Sequence, residues 1–130
     1  MTRTVYVGRP SAAVRRGYQA VREAQQAALD AVRPGVSVGE VDRTARKSLQ
    51  KSGLAKYFTH STGHGVGLEI HEAPRVAAWQ TEILQPGMVI TVEPGVYVPG
   101  KWGVRIEDMV VVTERGCEVL TPTSKELVTI

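Results

Sequence analysis

The chain contains three histidines, and all of them fall within twelve residues, in the run His60-Ser-Thr-Gly-His64-Gly-Val-Gly-Leu-Glu-Ile-His71. Imidazole is the commonest metal ligand and the side chain that moves protons near neutral pH. The HxxxH spacing of His60 and His64 would put both rings on one face of a helix. Gly63, Gly65 and Gly67 argue against a helix, since each costs about 1 kcal/mol relative to alanine. They predict an extended segment with a tight bend, where backbone packs closely against a neighbour. The glycine spacing is not GxGxxG and follows no clear strand, so it is no nucleotide fingerprint. Three unrelated structural histidines would account for the residue types. Their clustering beside glycines points instead to a site.

Two acids stand where acids are unexpected. Glu93 ends the apolar run Met88-Val-Ile-Thr-Val and is followed by the turn Pro94-Gly95. Glu107 interrupts the β-branched run Val104 to Val112. With a period of two, Arg105, Glu107, Met109 and Val111 share one face, and Ile106, Asp108 and Val110 the other. Whichever face is buried, a carboxylate goes inward, which is costly unless it is paired or metal-bound. An Arg105–Glu107 ion pair on a solvated edge strand would also explain Glu107. One imidazole and two carboxylates on neighbouring strands make a hard or borderline metal site. Carboxylate oxygen suits manganese, while imidazole also admits zinc, cobalt or iron. The other histidines would then hydrogen-bond a substrate.

The elements that must position these groups divide near residue 55. Thr4 to Val7 reads as a short strand closed by Gly8 and Pro10. Ser11 is the N-cap of a helix to about Val32, with Val14, Tyr18, Val21, Ala28 and Val32 near one face. Pro34-Gly35 stops it. Ser37-Val-Gly-Glu40 fits a capping box, in which the serine oxygen meets the third N–H and the glutamate reaches back. Val38, Val41, Ala45 and Leu49 form the buried stripe of the second helix, which ends at Gly53. Met88–Glu93, Val104–Val112 and Glu118–Leu120 then read as an antiparallel meander. Helices first and strands afterwards predict an α+β layer with both helices on one sheet face.

At 130 residues the chain is one domain long and can bury a real core. Its 42% hydrophobic and 22% charged content excludes collagen-like, disulfide-stapled and disordered classes. No apolar stretch approaches the ~20 residues that span a bilayer. The N-terminal run has no secretory h-region, and Cys117 is the sole cysteine, which suits a reducing cytoplasm. The net charge of +3 comes mainly from Arg3, Arg9, Arg15 and Arg16. With no long basic run and no interleaved aromatics, it reads as a solvated helix face rather than a nucleic-acid surface. Trp79 and Trp102 are expected to pack or flank a cleft, and Cys117 to be incidental.

Three motifs in order then become recognisable: His64-Gly-Val-Gly-Leu-Glu-Ile-His71-Glu, Leu84-Gln-Pro-Gly-Met-Val-Ile-Thr-Val-Glu93-Pro-Gly-Val-Tyr97 and Gly103-Val-Arg-Ile-Glu107-Asp. Together with the helical stretch before them they resemble the creatinase/methionine aminopeptidase superfamily of pita-bread fold, closest to its Xaa-Pro dipeptidase (prolidase) and Xaa-Pro aminopeptidase branch. The resemblance implies hydrolysis of the bond before proline by two divalent metals (Mn, Zn or Co) with a water or hydroxide between them. It implies His64 and Glu93 as ligands of one metal and Glu107 as the bridging carboxylate. Glu93 would also shuttle the proton to the leaving nitrogen. His71 would hydrogen-bond the substrate and the tetrahedral intermediate, His60 would line the substrate pocket, and Arg105 would orient the acidic ligands. A proline-containing dipeptide or peptide is the implied substrate, and a homodimer the implied assembly.

One departure qualifies these expectations. The family's site also needs two aspartates, the second in a motif reading roughly Ser-Asp-(Ile/Met)-Thr-Arg-Thr, and this chain opens at Met1-Thr-Arg-Thr4. Asp30, Asp42 and Asp108 stand in no matching context. Residues 1–130 are therefore expected to be a single incomplete catalytic domain, the C-terminal half of a pita-bread domain. On its own it would be inactive, hold one loosely bound metal at most, and self-associate through the sheet edge left open. The alternative is a non-catalytic pita-bread module that binds peptides or proteins. Such modules typically lose their metal ligands, whereas three remain here. A metal-free hydrolase of the creatinase kind, acting on a small guanidino substrate, fits least because both glutamates stand.

Overall fold

A computed structural model describes residues 1–130. Strand β1 (Val5–Tyr6) leads into helix α1 (Ala12–Ala31), then α2 (Val38–Lys51) and a 3₁₀ turn at Ala55–Tyr57. Eight strands follow: β2 (Gly63–Gly65), β3 (Glu72–Val76), β4 (Val89–Val92), β5 (Gly95–Val98), β6 (Trp102–Arg105), β7 (Asp108–Val112), β8 (Cys117–Val119) and β9 (Val128–Thr129). The α+β class expected from the sequence is the one observed.

Both helices begin where their serines predict. The Ser11 hydroxyl accepts from Val14 N at 3.3 Å, and that of Ser37 from Glu40 N at 3.2 Å, each satisfying an N–H the helix itself cannot pair. The return half of the capping box is not made: Glu40 lies exposed, and its carboxylate bonds nothing. Gly35 and Gly53 end the two helical segments at φ +84° and +70°, which favour glycine. The predicted stripes are the buried ones, and Val21, Ala28, Val38, Val41, Ala45 and Leu49 are fully enclosed. Each such valine or leucine contributes about 1.5–3 kcal/mol by leaving water. Gly17 in α1 leaves room for the indole of Trp102, which would otherwise collide with a Cβ there.

The helices pack on each other, α1 also against β4, β5 and β6, and α2 against β3. The main sheet is antiparallel in the order β3-β2-β4-β7-β8, with β5 and β6 forming a separate hairpin and β1 lying parallel to β9. The run Val104–Val112, read above as one strand, is two. It breaks at Ile106 and Glu107, where Ile106 N donates to Pro94 O and Glu107 N to Thr2 O. The chain there leaves the β5–β6 hairpin and enters the main sheet. The period of two survives the break, and Ile106, Asp108, Val110 and Val112 are all buried.

The inward carboxylate is therefore Asp108. It accepts from Arg3 Nη2 at 2.6 Å, Lys125 Nζ at 2.7 Å, Gln25 Nε2 at 2.9 Å and Thr121 Oγ1 at 3.1 Å. These partners tie both ends of the chain and α1 to β7. Burial alone would raise the Asp108 pKa, but the hydrogen bonds from Lys125, Arg3 and Gln25 outweigh it and hold the carboxyl below its ordinary value. A depressed folded pKa contributes stability that is complete above the ordinary aspartate range and is lost as pH falls through the folded value. Asp108→Ala should cost about 3–5 kcal/mol in urea unfolding at neutral pH, because Arg3 and Lys125 lose their counter-charge. Asp108→Asn should flatten the fall in stability below about pH 4.

Candidate metal centre and substrate cleft

Strand β2 is three residues long, and glycines at both its ends let it lie between β3 and β4. A Cβ on Gly63 would run into the Thr91 carbonyl, and one on Gly65 into the Ala73 carbonyl. The extended segment and close backbone packing read from the glycines are both observed. This packing carries His64 to β4. Its backbone N–H donates to Thr91 Oγ1 at 3.0 Å, Thr91 Oγ1 donates to Glu93 Oε1 at 3.0 Å, and His64 Nε2 stands 3.3 Å from the same Glu93 oxygen. Both side chains are 16% exposed, open enough to be reached and closed enough to be held.

The tautomer of His64 follows from its other nitrogen. Nδ1 lies 2.8 Å from the Gly65 carbonyl, which can only accept, so Nδ1 carries the hydrogen. In the neutral ring Nε2 then presents a lone pair to a carboxylate. Two acceptors face each other across 3.3 Å, a contact that is favourable only with a cation, a proton or a metal ion, between or beside them. The donor set thus fits part of a divalent ion's coordination shell.

Glu107 does not join this pair. Its Oε2 accepts from Thr2 Oγ1 at 2.5 Å, and Oε1 is 3.6 Å from the amino group of Met1. No three histidine, cysteine, aspartate or glutamate side chains of the chain converge so as to hold an ion. Of the three expected ligands the structure brings together His64 and Glu93 and leaves Glu107 apart. Arg105 Nε donates to Thr2 Oγ1 at 3.3 Å, the hydroxyl that donates to Glu107. Burial pulls the Arg105 pKa down, but the adjacent Tyr97 oxygen and the charges of Glu93 and Glu107 hold it above its ordinary value.

His60 and His71 flank His64. His71 is exposed and meets the His64 ring edge-on at 4.4 Å between centroids. His60 Nδ1 donates to the Ser61 carbonyl at 2.8 Å, so its Nε2 accepts from the Tyr97 hydroxyl at 2.9 Å. All three rings border one open cleft of about 740 Å3, which Glu72, Arg75 and Glu82 also line.

Sequence reasoning assigned no role to Arg75 or Tyr97. Arg75 pairs across the ladder with His64, which puts a cation beside the histidines, its guanidinium 5.4 Å from the Trp79 ring. Only the strand register reveals that neighbour. Tyr97 had a fainter signal: it alternates with Gly95 along a strand that starts two residues after Glu93.

Residues 1–114 match the profile of metallopeptidase family M24. The Xaa-Pro dipeptidase of Pyrococcus furiosus is 50% identical over 127 residues, which is 98% of this chain and 36% of that protein. Among solved structures, the dipeptidase PepE of Mycobacterium ulcerans superposes with a TM-score of 0.96 at 49% identity, over 98% of this chain and 34% of that one. The prolidase of Pyrococcus horikoshii does so with a TM-score of 0.94 at 46% identity, over 97% and 36%. The chain thus spans about a third of the length of the curated relatives it matches.

The His60–Tyr97 contact exists because residue 95 has no side chain. A Cβ there would stand 2.5 Å from the Tyr97 oxygen and 3.1 Å from His60 Nε2. Gly95→Ala should cost no more than about 1–3 kcal/mol, since the far end of a side chain can swing away. It should nevertheless break the His60–Tyr97 hydrogen bond, read as a changed ¹⁵N pattern of the His60 ring with that of His71 unmoved.

Proposed function

The chain belongs to metallopeptidase family M24, and on that premise we propose that it carries the His64–Glu93 side of the active site of a metal-dependent Xaa-Pro peptidase acting on proline-containing dipeptides or short peptides. The observation that carries this reading is the facing pair of acceptors, His64 Nε2 and Glu93 Oε1, at the edge of a cleft bordered by two further imidazoles. The 50% identity with a Xaa-Pro dipeptidase supports the substrate class.

His64 and Glu93 would hold the ion, with Glu107 joining once released from Thr2. A bound divalent ion supplies Lewis acidity and a water acidic enough to attack near neutral pH. Glu93 would take a proton from the attacking water and pass it to the prolyl nitrogen as the bond breaks. His71, exposed at the cleft, would donate to the oxygen of the scissile carbonyl as negative charge gathers there. His60 would line the substrate pocket with its ring held by Tyr97, and Arg105 would orient the acidic ligands.

Charge limits what these residues can do alone. A neutral imidazole and two carboxylates offset only half the charge of two divalent ions, so a single loosely bound manganese, zinc or cobalt is the expected occupancy. Calorimetry with manganese should show uptake of no more than one ion per chain, abolished in His64→Ala and in Glu93→Gln. No uptake at all would favour a non-catalytic binding module.

Activity should appear when a relative supplies the remaining two-thirds of its length. In a chimera carrying these residues in place of the matching segment of the Pyrococcus horikoshii prolidase, we expect chelator-sensitive cleavage of a Xaa-Pro dipeptide. Glu93→Gln in that chimera should lower kcat by roughly 10²–10⁴-fold. A folded, metal-loaded chimera without Xaa-Pro cleavage would overturn the substrate class. A homodimeric assembly and a cytoplasmic location complete the proposal. No helix of the chain is long and apolar enough to cross a membrane.

A further inference from the structure

A second fully buried carboxylate lies away from the cleft. Asp42 sits on the core side of α2 between Val41 and Ala45, with no exposure. Its Oδ1 accepts from Thr62 N at 3.0 Å and Thr62 Oγ1 at 2.8 Å, and its Oδ2 from Arg46 Nε at 2.6 Å. Arg46 Nη2 also donates to Asp42 Oδ1 at 3.3 Å, and the guanidinium donates to the carbonyls of Phe58, at 3.0 Å, and His60, at 2.6 Å, and lies 4.3 Å from the Phe58 ring. The segment from Phe58 to Thr62 belongs to no helix or strand. Two side chains of one helical turn therefore hold it at Phe58 O and His60 O, while the Thr62 N–H is shared between Asp42 and the Val76 carbonyl, 2.9 Å away.

What the segment carries gives this clamp a purpose. The His60 ring stands edge-on to Phe58 at 5.0 Å and accepts from Tyr97. The Thr62 carbonyl accepts the backbone N–H of Glu93 at 2.7 Å. The clamp thus fixes both the histidine that lines the cleft and the residue that opposes His64.

We infer that Asp42 and Arg46, neither of which lines the cleft, are positioning residues of the candidate site: they hold His60 in one tautomer and set the spacing between its segment and Glu93. Only the word "site" rests on the peptidase reading, because the geometry is testable without turnover.

The test is the ring ¹⁵N spectrum of the 130-residue chain at about pH 8, where free histidines are neutral. We expect a single Nδ1–H tautomer for His60 in the unaltered chain. A lysine at position 46 keeps the charge but cannot fork to Asp42 and two carbonyls together. Arg46→Lys should therefore turn His60 into a tautomer mixture, leave His71 unchanged and still unfold cooperatively. A folded Arg46→Lys with the original His60 pattern overturns the inference. A variant that fails to fold leaves the unaltered chain to decide. There the Arg46 Nε–H should exchange with solvent at least about tenfold more slowly than that of exposed Arg9, and equal rates overturn the inference. In the chimera, Asp42→Asn should lower kcat more than it raises KM. An inactive chimera with the His60 tautomer intact would count against the substrate class and not against the clamp.

Discussion

A Cβ on Gly63 would strike the Thr91 carbonyl and one on Gly65 the Ala73 carbonyl, so β2 can lie between β3 and β4 only where the chain has no side chains at those points. That close approach is the constraint on which the site depends. It lets the His64 N–H reach Thr91 Oγ1, the same hydroxyl that donates to Glu93. One threonine thereby sets the positions of both an imidazole and a carboxylate. Widening the β2–β4 gap by a methyl group would separate them.

The buried charges and the reactive charges are handled in opposite ways. Asp42 and Asp108 are fully enclosed, and each is surrounded by donors: Thr62 and Arg46 for one, Arg3, Lys125, Gln25 and Thr121 for the other. No buried side-chain polar atom lacks a partner. An uncompensated buried charge would cost several kcal/mol, so these acids act as anchors, one for the irregular segment before β2 and one for both ends of the chain. His64 and Glu93 are only 16% exposed, yet they face each other acceptor to acceptor. The fold surrounds the enclosed acids with donors and leaves His64 Nε2 facing a carboxylate oxygen at the cleft.

The placement of Glu107 depends on distant chain. It lies at the junction between the β5–β6 hairpin and the main sheet, and its carboxylate is taken by Thr2 and the Met1 amino group, over a hundred positions away in sequence. Strand periodicity cannot report such a contact. It did report that one of Glu107 and Asp108 must face inward, and the structure decides that it is Asp108.

The residue order by itself determined both helices, since Ser11, Ser37, Gly35 and Gly53 act locally and the valine stripes repeat with the helical period. It also marked the histidine cluster and the isolated Glu93 as chemical groups, and its three motifs carried the resemblance to the pita-bread superfamily. Only tertiary structure decided that Val104–Val112 is two strands in two sheets, that Arg75 stands beside His64, and that Asp42 and Arg46 hold the segment bearing His60. Caps and periodicity are interactions between near neighbours and leave their mark on adjacent letters. Register and buried ion pairs join residues tens of positions apart, and which of them meet is settled only when the backbone closes on its core.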